Sequence, residues 1–152
     1  MKRNDIILII AVFIIALSGF ITVYIIQGRT ALEGGIAVVS KDNQEVMHIF
    51  LSDGSYEIID ETYIFRPQED EVNPLFQQCF NEPNIYCVLG ALGVVVIEYQ
   101  NNQVRVIEET SPHNICQLQG FTNSPARPVT CLPNYVVIRV IALEEDDIDV
   151  YS

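Results

Sequence analysis

Residues Ile6–Ile26 form an unbroken run of 21 residues without a charge, whose only polar side chains are Ser18, Thr22 and Tyr24. A helix rising about 1.5 Å per residue spans about 31 Å over this length, matching a hydrocarbon core of about 30 Å. Fifteen of the residues are Ile, Leu, Val or Phe. At about −0.4 kcal/mol each on an insertion scale, they favour spanning by about 6 kcal/mol. A helix buried in a globular core would carry more polar relief on one face. A cleaved signal peptide has a shorter apolar region, about 7–15 residues, and ends in a small-residue cleavage site. Gln27-Gly28-Arg29-Thr30 supplies no such site, and no cysteine follows Leu17-Ser18-Gly19 to mark a lipoprotein. The run predicts an uncleaved transmembrane helix over residues 6–26.

Lys2 and Arg3 precede this run, and Arg29 is the one basic residue soon after it. The positive-inside rule then predicts a cytoplasmic N-terminus, residues 1–5, and a cell-membrane protein whose remainder is extracytoplasmic. All four cysteines lie in that remainder, which suits an oxidising compartment. Residues 28–152 carry 6 basic against 19 acidic side chains, a net charge of −13. Such a field repels polyanions, so nucleic acid is not an expected partner. The densest acidic run, Glu144-Glu145-Asp146-Asp147-Ile148-Asp149, lacks the spaced ligands, central glycine and terminal Glu of a calcium loop. Residues 144–152 read as a solvated acidic tail.

Between anchor and tail, residues 28–143 are enough for one domain with a modest core. Short apolar runs punctuated by turn residues predict strands at 35–40, 46–51, 56–60 with 63–66, 94–99, 104–108 and 135–143. Lys41-Asp42-Asn43, Ser52-Asp53-Gly54 and Asn101-Asn102 are the expected turns. The last strand is apolar except for Arg139, and is expected to be central and covered on both faces. The fold class expected is all-β, a compact barrel or sandwich. Residues 67–93 break the rhythm. Asn73-Pro74 is a helix start, with Asn as cap and Pro at the first helical position, and Leu75–Phe80 would follow for about two turns.

Four cysteines allow three pairings. The sequence-local one, Cys79–Cys87 with Cys116–Cys131, closes residues 67–93 on themselves and staples the loop before the last strand. Structural disulfides are the expected reading.

The segment from Val104 to Val140, with Glu108-Glu109 ending a strand, then Cys116, Gly120 and Cys131-Leu132-Pro133-Asn134 opening the next, resembles the bacterial NusG domain II-like family of small membrane-anchored proteins. The family pattern is a strand with an acidic residue, then Cys-Pro-x-x-x-Cys, a glycine and a returning Cys-Leu-Pro-Asn strand. Here Glu108 and Glu109 supply the acid, Cys116 the second cysteine, Gly120 the glycine, and Cys131-Leu132-Pro133-Asn134 the return. Ser111 stands in the first cysteine's place before Pro112. The resemblance implies a membrane-anchored β domain. Residues 67–93 fall outside the pattern and read as a disulfide-closed insertion, a self-contained excursion expected to be dispensable for folding.

No chemistry stands out. There is no Cys-x-x-Cys, nucleophile elbow, phosphate-binding glycine loop or dinucleotide fingerprint. His113, Cys116 and Cys131 lack a fourth zinc ligand, because Ser111 is a poor one. No catalytic residue, metal or cofactor is expected. The expected function is a non-catalytic accessory or binding module that meets the membrane through its N-terminal helix and engages another envelope or membrane protein. Leu75, Phe76, Phe80 and Tyr86 of the insertion are the candidate partner-binding residues, against the alternative of a satellite core. An envelope thiol-disulfide redox accessory and a self-assembling structural protein are the rival functions.

Overall fold

The computed structural model describes residues 3–29, 34–69 and 71–143, with the side chains of the first helix described over residues 9–22. The expected acidic tail, residues 144–152, and Met1 and Lys2 of the expected cytoplasmic N-terminus lie outside the described residues. The chain divides into two compact units, residues 1–31 and 32–152.

The first unit is α1, Arg3–Arg29. Its described side chains are exposed all round, Phe13 and Phe20 among them. The two hydroxyls turn back on the helix: Ser18 Oγ donates to the Ile15 carbonyl and Thr22 Oγ1 to that of Ser18, both at 2.9 Å. The fourteen residues from 9 to 22 amount to about 21 Å of helix. Among the described residues, no helix is long and apolar enough to cross a membrane. The span expected over residues 6–26 extends beyond these side chains at both ends.

The second unit is mostly β. Strands β1 (Ile36–Lys41), β2 (Gln44–Phe50), β3 (Tyr56–Ile58), β7 (Val129–Cys131) and β8 (Val136–Ile141) form an antiparallel sheet in the order β3-β2-β1-β8-β7. Strands β4 (Ile85–Leu89), β5 (Val94–Gln100) and β6 (Gln103–Glu109) form a second. Two hairpins turn on pairs that tolerate positive φ, Asp42-Asn43 (50° and 65°) and Asn101-Asn102 (51° and 61°). Such pairs match the twist of the flanking strands. Val39, Met47, Ile49 and Ile138 from one sheet meet Val88, Val95, Ile97, Val104 and Val106 from the other in one core.

The sheets do not close into a barrel; three of their four edges, all but that of β3, are covered one by one. Ile64 bridges Val88 at the β4 edge, and Val104 exchanges both backbone hydrogen bonds with Thr122 at the β6 edge. At β7, the Gln119 amide takes a strand's place: Oε1 accepts from Thr130 N–H at 3.0 Å, and Nε2 donates to Thr130 O at 2.9 Å. Covered edges resist pairing with another chain.

Four expectations are corrected. Residues 63–66 are not a strand. Asp60 accepts from Thr62 N–H at 2.9 Å and caps a 3₁₀ turn at Glu61–Tyr63, leaving Ile64 alone to bridge. Strand β8 is central but not covered on both faces: Val136, Ile138 and Val140 are buried, while Arg139 and Ile141 are exposed. The helix at Asn73-Pro74 is one turn, α2 (Pro74–Gln77), with Asn73 Oδ1 accepting from Leu75 N–H at 3.0 Å. The chain leaves it through Phe80 at φ 57°. Finally, residues 67–93 are not a self-contained excursion, because they include β4, paired along its length with β5 and buried from Ile85 to Val88.

Candidate functional site

Strand β6 carries a bulge. Val95 pairs with Glu109 and Val96 with Glu108, but Ile97 pairs with Val106, so Ile107 is an extra residue. A bulge reverses the alternation of side chains beyond it. Val104 and Val106 point inward, and without the bulge Glu108 would follow them. Instead Glu109 is buried, at 2% exposure, and Glu108 is not.

Helix α3 (Ile115–Leu118) brings Cys116 over this carboxylate. Oε1 of Glu109 accepts from Cys116 N–H at 2.8 Å, and Oε2 lies 2.8 Å from Cys116 Sγ. Cys116 is bonded to Cys131, and both are buried. Asn134, fully buried, closes the cluster. Its Oδ1 accepts from Leu92 N–H at 3.1 Å, which fixes the amide's orientation. Nδ2 therefore faces Thr110 O at 3.3 Å and Glu109 Oε2 at 3.4 Å. The Asn134 carbonyl accepts from Ala91 N–H at 3.1 Å. Gly90 is required beside it, since a Cβ there would lie 2.5 Å from Asn134 Oδ1. The donor atoms of Glu109, Cys116 and Cys131 lie within 4.8 Å of one another. Both sulfurs are committed to the disulfide, so the cluster does not fit a metal in this state.

Two clefts flank the turn at residues 82–85. The larger, about 650 Å³, lies between α2 and the β5–β6 hairpin and is lined by Leu75, Gln78, Ile85, Glu98, Arg105 and Ile107 among others. Arg105 Nε meets Glu98 Oε2 at 2.5 Å, and its guanidinium stacks 4.4 Å from the Phe121 ring centroid. The smaller, about 330 Å³, runs from Asp53 to Tyr86 past Tyr56 and Phe80. At its lip, the backbone N–H and then the hydroxyl of Ser55 hold Asp53 below the usual carboxylate range.

The four partner-binding candidates separate. Leu75 lines the larger cleft. Phe76 packs on Phe65, with centroids 5.6 Å apart, in a satellite core that also holds Cys79 and Cys87. Phe80 sits between Tyr56, Tyr86 and the Arg66 guanidinium. Tyr86 is a core residue whose hydroxyl donates to the Gly54 carbonyl. Burial, followed by the neighbouring Tyr56, Tyr99 and Asp53, pushes that hydroxyl up to about 12. The disulfides are Cys79–Cys87 and Cys116–Cys131. Sequence reasoning treated Glu108 and Glu109 alike and gave Asn134 no partner. The bulge that separates the two acids has no sequence signature here.

A family model, NusG domain II, matches residues 6–144. No curated protein matches the chain. Among solved structures, the crystal structure of the Lin0431 protein from Listeria innocua aligns at 14% identity and a TM-score of 0.49, covering 73% of this chain and 99% of that one. The solution NMR structure of the same protein aligns at 15% identity and a TM-score of 0.49, covering 75% of this chain and 78% of that one.

Proposed function

The chain belongs to the NusG domain II family, and from that premise we propose that it is a non-catalytic binding module. Helix α1 holds it at the cell membrane, and its β domain is displayed outside the cytoplasm to another envelope or membrane protein. The observation that carries the binding role is the cleft of about 650 Å³ between α2 and the β5–β6 hairpin. Leu75, Ile85 and Ile107 give it apolar surface, and Gln78, Glu98 and Arg105 give it a few polar groups that orient what binds.

The membrane role is supported by the uncharged run Ile6–Ile26 within α1, and by Ser18 and Thr22 satisfying their hydroxyls inside the helix. Polar groups facing hydrocarbon need such internal partners. The orientation is supported by Lys2 and Arg3 ahead of the run and by two disulfides behind it.

The test is photo-crosslinking in intact cells, with the probe placed at Gln78 in the cleft or at Asn43 in the β1–β2 turn, which does not line it. One membrane-protein adduct from position 78 and none from 43 is expected, and Leu75→Arg should abolish it with the thermal transition retained. The same adducts from both positions, or adducts indifferent to Leu75→Arg, would refute the binding role.

A further inference from the structure

We propose that Cys116–Cys131 is a redox-active pair that exchanges electrons with a dithiol reductant, and that Glu109 carries the proton of Cys116. This goes beyond the binding reading and stands or falls apart from it.

The geometry around Glu109 matches the dithiol better than the disulfide. With the bond closed, Cys116 Sγ has no hydrogen, so its 2.8 Å approach to Glu109 Oε2 is not a hydrogen bond. The donor that then faces Oε2 is Asn134 Nδ2, at a long 3.4 Å. A buried carboxylate oxygen so poorly served disfavours the state that leaves it so. With the bond open, Cys116 S–H donates to Oε2 along the same 2.8 Å line while its N–H still holds Oε1. Free energy withheld from the disulfide in this way raises its reduction potential. Cys79–Cys87 is the internal contrast, set among Ile85, Val94 and Val96, with Cys79 Sγ facing the Leu75 carbonyl at 3.9 Å.

Access comes through α3. It is a single turn, entered from Asn114 in the left-handed region without a side-chain cap. The apolar neighbours of the two cysteines, Ile115, Leu118 and Leu132, are 53%, 82% and 73% exposed. They offer a reductant an apolar landing beside the buried sulfurs.

The exchange balances as follows. One thiolate of the reductant attacks Cys131 Sγ, the S–S bond breaks, and its electron pair stays on Cys116 Sγ. That sulfur takes up a solvent proton by way of the Glu109 carboxylate. The reductant's second thiolate then attacks its own sulfur in the mixed disulfide and releases Cys131, which is protonated from solvent. The reductant ends as a disulfide, and two electrons and two protons reside on the cysteines.

The full chain in detergent micelles would be equilibrated against mixtures of reduced and oxidised dithiothreitol, trapped by alkylation and mapped by mass spectrometry. A hydrogen bond to a charged group moves an equilibrium about 10-fold or more. Cys116–Cys131 should therefore open at a reduced-to-oxidised ratio about 10-fold lower than Cys79–Cys87. Glu109→Gln should raise the ratio it needs by about 10-fold, or about 30 mV. Reduction of the wild type should also displace a carboxylate stretch in the infrared in step with alkylation of Cys116, a readout that survives if Glu109→Gln fails to fold. Cys79–Cys87 opening first or together with the other pair, a folded Glu109→Gln with an unshifted ratio, or an infrared spectrum without that displacement would overturn the proposal.

Discussion

Asn134→Asp changes one side-chain atom and tests the account of the buried cluster. The carboxylate keeps an oxygen to accept from Leu92 N–H, but replaces the Nδ2 donor with a second oxygen. That oxygen then faces Thr110 O and Glu109 Oε2, which the amide met at 3.3 and 3.4 Å. The Nδ2 donor serves its two acceptors only at long range, so its loss costs about 1 kcal/mol, and bringing a second buried carboxylate against Glu109 adds about 1–2 kcal/mol. The expected loss is about 2–3 kcal/mol. Asn134→Ala removes the same donor without adding a charge. It leaves a small void and lets the partly exposed Leu92 N–H rehydrate, so its cost should be about 3 kcal/mol. Urea unfolding of the full chain, followed by tyrosine fluorescence because the chain has no tryptophan, would give both values. The aspartate variant should regain stability as pH falls, since one shared proton relieves the pair. An aspartate variant within 1 kcal/mol of wild type beside a severely damaged alanine variant would show that Asn134 fills space and its amide donor is unimportant.

Tyr86→Phe removes the hydrogen bond to Gly54 O and should cost about 1 kcal/mol at neutral pH by chemical denaturation. The wild-type hydroxyl is raised to about 12 from about 10 in the unfolded chain. Its contribution is complete below pH 10 and is lost as pH rises to about 12, so the variant's unfolding should lack that alkaline step. Removing Cys79–Cys87 by paired alanines opens a loop of sequence separation 8 and should lower stability by about 2.5 kcal/mol in the chain-entropy treatment, read as a shifted urea midpoint. Replacing Gln68–Gly90 with a short Gly-Ser linker removes β4 and should abolish the cooperative thermal transition; a transition near the wild-type temperature would contradict the central place given to β4.

What was legible in the sequence was what short-range chemistry decides. Asp42-Asn43 and Asn101-Asn102 announced their hairpins because few residues tolerate positive φ, and Asn73-Pro74 announced its helix through one cap and one ring. The four cysteines pair with their sequence neighbours, where loop closure is cheapest. What failed depended on distance or phase. β4 looked like the end of an excursion because its partner β5 is identified by packing rather than by any local signal, and for the same reason Phe80 and Tyr86 stayed open between a binding surface and a satellite core. Glu109 could not be separated from Glu108, because a bulge one residue long at Ile107 decides which acid is buried. Asn134 was visible as part of Cys-Leu-Pro-Asn, but its partners Leu92 and Glu109 lie 42 and 25 residues away.

The proposed role needs a β domain held outside the cytoplasm by an uncleaved helix. A reporter that matures only after export, fused behind Ser152 of the full chain, tests it most directly. Strong activity, with the fusion remaining in the membrane fraction at its unprocessed mass, is the predicted result. An inactive export reporter alongside an active cytoplasm-only reporter at the same position would contradict it.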